Sequence, residues 1–233
     1  MKNAIIVLTR GYHEDHKYLD LIERNKSIEK FLGHKYPLIF FHEGNISPYH
    51  QSMIRNCNPK LEMAFVDISN CWSGGYEGMC RFNTFDIWNE CDKLGLDYIL
   101  RIDEDCQIYQ MPNDPFEIIR GNDILRSCYF DESHSETNAT LPQVIEHWTG
   151  VERKEFYNTK FLYTNVYLSS VKFWKDPVLN AILKNIAYSD EQRANRWGDL
   201  PVLGSLANIY AKVGVIDGLV YRHLSHNMTI SAH

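Results

Sequence analysis

The sequence has no long run of lysine and arginine, no apolar stretch of membrane-spanning length and no C-x-x-C pair. Each absence removes a class of function. Without a basic stripe nothing tracks a phosphate backbone, and a net charge of −6 over 233 residues also argues against nucleic acid as a partner. A bilayer-crossing helix needs about 20 consecutive apolar residues, so no membrane span is expected. After the first apolar run, "TRGYHED" carries one glycine and one arginine, too little for the glycine-rich phosphate loop of a nucleotidyltransferase. The six cysteines, at 57, 71, 80, 91, 106 and 128, have neither zinc-ligand spacing nor that of a disulfide framework, and read as reduced thiols. The opening "MKNAIIVLTRGYHED" is too short in apolar residues for a signal-peptide core, so a soluble, cytoplasmic protein is expected. The sequons at Asn45, Asn138 and Asn227 matter only on a secretory route and are read as chance.

What is present is an alternation of short elements. "AIIVLT" (4–9), "YPLIFFHEG" (36–44), "LEMAFVDI" (61–68) and "LDYILRID" (96–103) read as strands, rich in branched and aromatic residues and bounded by turns. Between them, Leu19, Ile22, Ile28, Phe31 and Leu32 fall near one helical face, with Gly33 just beyond. Met79, Phe82, Ile87 and Cys91 fall at helical spacing ahead of Gly95. The second half is less regular. Residues 123–130 and 161–170 read as strands, 131–140 as a polar loop, and 176–187 and 198–212 as helices, the last with Asp199 as N-cap and Pro201 in its first turn. The order implies an α/β fold: a mixed, mostly parallel central sheet flanked by helices, in a single domain over 1–233.

"YILRIDEDCQIY" (98–109) ends a buried run with Asp103, Glu104 and Asp105 side by side. Ligands of open α/β sheets sit beyond the carboxyl ends of the strands, and these acids fall at such an end. Three adjacent carboxylates repel. Either solvent screens them in an exposed turn, or a hard divalent cation such as Mg²⁺ or Mn²⁺ binds their oxygens. If strand alternation continued, Asp103 and Asp105 would face the same side. Spacing alone leaves both readings open.

Four segments in order add to this: "GGYEGMCRF" (74–82), "RIDED" (101–105), "NRWGDLPV" (195–202) and "YRH" (221–223). Together they resemble the fungal-type α-1,2-mannosyltransferases of glycosyltransferase family 15. The matches are Tyr76, Met79, Cys80, Arg81 and Phe82; the acidic motif, with Asp103 where the family has Glu and Glu104 where it has Pro; Arg196 to Pro201; and Tyr221 and His223. The resemblance implies a GT-A-type, Rossmann-like fold that binds a nucleotide sugar. It implies Mn²⁺ or Mg²⁺ on the diphosphate and retaining transfer of a hexose to a glycan acceptor. GDP-mannose is the favoured donor and a UDP-hexose the other option. On this reading residues 1–105 form the nucleotide-binding half and 106–233 the acceptor-binding half.

The resemblance also implies roles. Asp105 and His223 would be metal ligands, with Asp103 on the metal or the ribose. Arg10, Tyr76 and Arg81 would face the donor, Trp197 and Tyr221 the acceptor, and Asp199 the catalytic pocket. Taken singly, these residues have plainer readings: His223 as a histidine of a polar tail, Arg81 as a solvated side chain, Trp197 as packing and Asp199 as a helix cap. The sequence departs from the family at one place. The family's proposed nucleophile is the Glu of an S-N-F-E segment, and aligning "YNTKFLYTNVYL" from Tyr157 puts Thr164-Asn165-Val166-Tyr167 there. Without a carboxylate, double displacement lacks its nucleophile. The expected route is then departure and attack on one face of the sugar, with Asn165 steadying the transition state. A catalytically silent carbohydrate-binding relative is the alternative that Tyr167 raises.

Overall fold

The computed structural model describes residues 2–157 and 160–232; Asn158 of the "YN" segment lies outside them. Among these residues the strands are β1 (Asn3–Thr9), β2 (Leu38–His42), β3 (Met63–Asp67), β4 (Tyr98–Ile102), β5 (Cys106–Gln110), β6 (Ile124–Arg126), β7 (Tyr129–Asp131), β8 (Lys160–Leu162), β9 (Val166–Ser170), β10 (Val213–Val215), β11 (Val220–His223) and β12 (Met228–Ser231). The central sheet runs β10-β6-β9-β4-β1-β2-β3. β1 pairs in parallel with β2 and β4, β2 with β3, and β10 with β6, while β9 runs antiparallel between β4 and β6. The expected mixed, mostly parallel sheet is present. A smaller antiparallel ribbon, β12-β11-β5, carries the chain's end back beside the acidic turn.

Covered on both faces, the inner strands read as unbroken apolar runs. Ile5, Val7, Phe40 and Leu100 pack toward the helix Leu19–Leu32, whose Leu21, Ile28 and Leu32 are buried against them. Ile6, Phe41 and Ile99 pack on the other side, among Phe82, Trp88, Trp174 and Leu203. Burying each such side chain contributes about 1.5–3 kcal/mol. Leu19, expected on the buried face, is exposed: nine residues at about 100° each set it opposite Ile28. A helix the sequence reading missed, Pro48–Cys57, joins β2 to β3; the helix after β3 is continuous from Gly75 to Lys93 but widens into a π turn over Phe82–Asp86, every residue of which is buried. Among the described residues no helix is long and apolar enough to cross a membrane.

The structure corrects several expectations. The polar stretch 131–140 is not all loop: a helix, Ser135–Thr149, begins within it. Its stripe of Thr137, Leu141 and Ile145 is buried, and the polar first turns masked the period. The strand expected at 123–130 breaks at Ser127 and Cys128, and that at 161–170 breaks at Tyr163 to Asn165. In each case one piece joins the central sheet and the other the β7–β8 pair. Asp199 is not the N-cap; Gly198 is, and the Asp199 carboxylate turns to Arg101 instead. β4 stops at Ile102, so Asp103 to Asp105 lie in a turn, closed by the Cys106 N–H donating to the Asp103 carbonyl at 3.1 Å. His223 is no tail residue: it ends β11 and is buried.

Candidate active site

The acidic turn is held by groups that the crowding of charge demands. Arg101, near the end of β4, is buried; its Nε donates to Asp103 Oδ1 at 2.9 Å and its Nη1 to Asp199 Oδ2 at 2.8 Å. Arg24 lies wholly buried beneath the turn and donates to the Ile102 carbonyl at 2.7 Å. Burial pulls its guanidinium down to about 10, against the upward pull of Cys106, Asp103 and Glu104. Glu104 accepts hydrogen bonds from Thr9 Oγ1 and, at 2.7 Å, from the Tyr12 hydroxyl. Two guanidiniums and two hydroxyls therefore stabilise what repulsion would scatter.

Asp105 is left facing His223. Its Oδ2 stands 3.4 Å from His223 Nε2 and accepts from the Ser225 N–H at 3.1 Å. Burial alone would raise the Asp105 carboxyl; hydrogen bonds from His223 and Ser225 outweigh it and hold the group well below the usual carboxylate range. Among the described residues, Asp105, Cys106 and His223 form a group whose ligand atoms lie within 4.8 Å of one another. The Cys106 thiol is pushed up by burial, so it stays protonated and is a poor partner for a hard cation. Asp103 is not in that group; Arg101 holds its Oδ1. The imidazole is oriented through Nδ1, which lies 2.9 Å from the Tyr163 hydroxyl and 3.0 Å from the Asn165 amide nitrogen.

Asp103, Glu104, Asp105 and His223, with Met79 and Asn83 from the widened helix, border an open cleft of about 590 Å³. A second lobe of about 360 Å³ is bordered by Arg101, Asp199, Tyr163, Asn165 and Glu132, and shares His223 and His226 with the first.

No protein-family model matches the chain. It is 21% identical over 175 residues to glycolipid 2-alpha-mannosyltransferase 1 of Candida albicans, covering 65% of this chain and 40% of that protein. It is 24% identical over 187 residues to the probable mannosyltransferase KTR3 of Saccharomyces cerevisiae, covering 70% and 46%. The chain spans less than half the length of these curated relatives. In structure it superposes on core-mannan synthase A (CmsA/Ktr4) of Aspergillus fumigatus, in its Mn/GDP form, with a TM-score of 0.76 at 17% identity, over 96% of this chain and 75% of that one. The chain has a GT-A glycosyltransferase fold. In sequence it resembles fungal mannosyltransferases.

In this GT-A fold the remaining expected site residues are placed unevenly. Arg10, its guanidinium 5.2 Å from the Tyr12 ring, and the exposed Tyr76 border a third lobe of about 520 Å³ with Glu43, Trp72 and Glu104. Arg81 points elsewhere: it donates to the Cys71 carbonyl, lies 3.4 Å from Asp86 Oδ2 and covers the Tyr188 ring. Trp197 is buried, its Nε1 donating to Thr140 Oγ1 at 2.8 Å. Tyr221 is also buried, its hydroxyl on Asn165 Oδ1 at 2.9 Å. Neither ring is presented to solvent. Residues the sequence reading gave no role are Arg101, Tyr163, Ser225 and His226, the last with its ring tilted against that of His223, centroids 4.5 Å apart. Arg101 was signalled by its spacing in "RID", two positions before Asp103; the others depend on contacts across the fold.

Tyr167 is the second residue of β9, opposite Arg101 on β4, wholly buried and outside the cleft lining. Burial pushes its phenol further up from an already high ordinary value. It is neither accessible nor ionised, so Tyr167→Phe is expected to keep most of the donor turnover, within about fivefold, and to form no sugar adduct. Mass spectrometry locating a hexose on Tyr167 would overturn this.

Proposed function

We propose that the chain moves a hexose, mannose in the first instance, from a nucleoside-diphosphate sugar to a glycan acceptor with retention, using a divalent cation held by Asp105 and His223. The carrying observation is that pair: a carboxylate oxygen and an imidazole nitrogen 3.4 Å apart, beyond the carboxyl end of β4 and at the end of β11, facing a cleft. Ligands about 2.1 Å from an octahedral ion and at right angles to one another stand about 3 Å apart, so the two atoms suit one Mn²⁺ or Mg²⁺ with slight closure. A cation there would neutralise the charge that gathers on the departing diphosphate. The names of the relatives and the Mn/GDP form of the structural neighbour support mannose, guanosine diphosphate and manganese over a UDP-hexose.

The chain's own residues supply the rest. Residues 1–105 would hold the nucleotide, with Arg10 and Tyr76 along the lobe that continues the cleft, and Asp103 directed by Arg101 toward the ribose or the cation. Residues 106–233 would hold the acceptor, with Asp199 and Asn165 bordering its lobe. His223 belongs to the second half and Asp105 to the first, so the cation would join them. With Tyr167 in the core, transfer on one face of the sugar is the route this arrangement supports. The six unpaired thiols support a reducing, cytoplasmic location, and titration of unfolded, unreduced protein should find six; two or more disulfides in native material would place it elsewhere.

A thermal-shift panel of nucleotide sugars, with and without Mn²⁺, tests the donor assignment. GDP-mannose with Mn²⁺ is expected to raise the midpoint more than any UDP-sugar, because a ligand stabilises the state it binds. A shift with UDP-hexoses alone would reassign the donor; no shift with any would favour the silent carbohydrate-binding reading.

A further inference from the structure

His223 Nδ1 faces two groups that can take either hydrogen-bonding role, the Tyr163 hydroxyl and the Asn165 carboxamide. The contacts continue inward. Asn165 Oδ1 meets the Tyr221 hydroxyl at 2.9 Å, and that hydroxyl meets Ser127 Oγ at 3.1 Å. Asn165, Tyr221 and Ser127 are all buried, so water does not rescue an unpaired atom there. The backbone anchors the chain of contacts at its outer end: the Asp103 N–H donates to the Asn165 carbonyl at 2.9 Å.

This network is self-consistent in two arrangements. With the amide nitrogen toward the ring, Nδ1 accepts, Tyr221 donates to Asn165 Oδ1, and the ring proton sits on Nε2. With the carboxamide turned over, Nδ1–H donates to Oδ1, the amide nitrogen donates to the Tyr221 oxygen, and Tyr221 donates to Ser127. Both keep Asn165 and Tyr221 paired. Only the second leaves a lone pair on Nε2, which stands 3.4 Å from Asp105 Oδ2 and 3.0 Å from the Ser225 hydroxyl, available to a cation once that hydroxyl turns away.

We infer that Asn165 is a positioning residue rather than a contact to the sugar: its carboxamide, backed by Tyr221 and Ser127, fixes His223 in the tautomer that presents Nε2 to a divalent cation. This rests on Asp105 and His223 being the cation site. Mn²⁺ affinity, measured by electron paramagnetic resonance titration without any sugar donor, separates the two claims. Asn165→Leu, which fills the space but cannot accept from Nδ1–H, is expected to weaken Mn²⁺ binding by about 10–100-fold. Asn165→Asp, which can only accept, is expected to stay within about threefold of the wild type. In Mg²⁺-bound wild type, the ¹⁵N shifts of His223 should show Nδ1 protonated and Nε2 bare. Wild-type affinity in Asn165→Leu, equal losses in the Leu and Asp variants, or a bare Nδ1 in the Mg²⁺-bound form would each overturn the inference. Mn²⁺ binding unchanged in His223→Ala would instead remove the cation site and this role with it.

Discussion

Asp105→Ala is expected to lower Mn²⁺-dependent donor turnover by about 10²–10³-fold in a protein that still folds, the usual cost of one lost electrostatic contact to a leaving group. The side chain stands at the cleft, about one-fifth exposed, so truncation opens no core cavity. It removes the acceptor of the Ser225 N–H, at a cost of about 1–3 kcal/mol, and relieves repulsion with Asp103. Asp105→Asn separates charge from shape: it can keep the Ser225 hydrogen bond and should still lose most of the turnover. Full turnover in a folded Asp105→Ala protein would show that the acidic turn serves another purpose.

Arg101→Met is expected to be the most destabilising single change near the site, by about 3–5 kcal/mol in denaturant unfolding at neutral pH. The Arg101 guanidinium is shared by Asp103 and Asp199, and its own charge survives burial because those carboxylates outweigh the desolvation that opposes it. Removing it leaves both acids facing each other. Burial already pushes Asp103 upward, and Arg101 is what holds it down. The deficit of the variant should therefore be largest near neutral pH and shrink as pH falls and Asp103 takes up a proton. Adding Asp199→Asn should recover part of the loss, since the pair is coupled. A loss below about 1 kcal/mol, the range of surface pairs, would mean that solvent screens the cluster.

Strands β1, β2 and β4 were legible because burial on both sides makes them continuous apolar runs, β2 closed by Gly44 and β4 by the acidic turn. Asp103 to Asp105 stood out as a candidate because charge crowding after such a run needs a cause, but spacing alone left a solvated turn and a cation site both open. The second half was harder. Its helix at Ser135–Thr149 opens in serine, glutamate, threonine and asparagine, and its two broken strands carry no glycine or proline at the break, only Ser127-Cys128 and Tyr163-Thr164-Asn165. Those breaks are where the site is assembled: Ser127 stands at one, Tyr163 and Asn165 at the other, and the Tyr163 N–H ties them by donating to the Cys128 carbonyl at 3.0 Å. The period of a strand says nothing of where its hydrogen-bonding partner changes. Tyr167 shows the converse. Aligned by motif it stands at the nucleophile's position, yet alternation from Val166 turns it into the core beside Arg101.

If Asp105 and His223 hold the divalent cation on which a GDP-mannose donor is used, donor cleavage depends on that ion. Release of GDP from GDP-mannose by the wild-type chain, followed in Mn²⁺ and again after chelation, tests it most directly. Steady GDP release is expected in Mn²⁺, with loss on chelation and recovery when Mn²⁺ is restored. Release that continues unchanged in the chelated protein would contradict it.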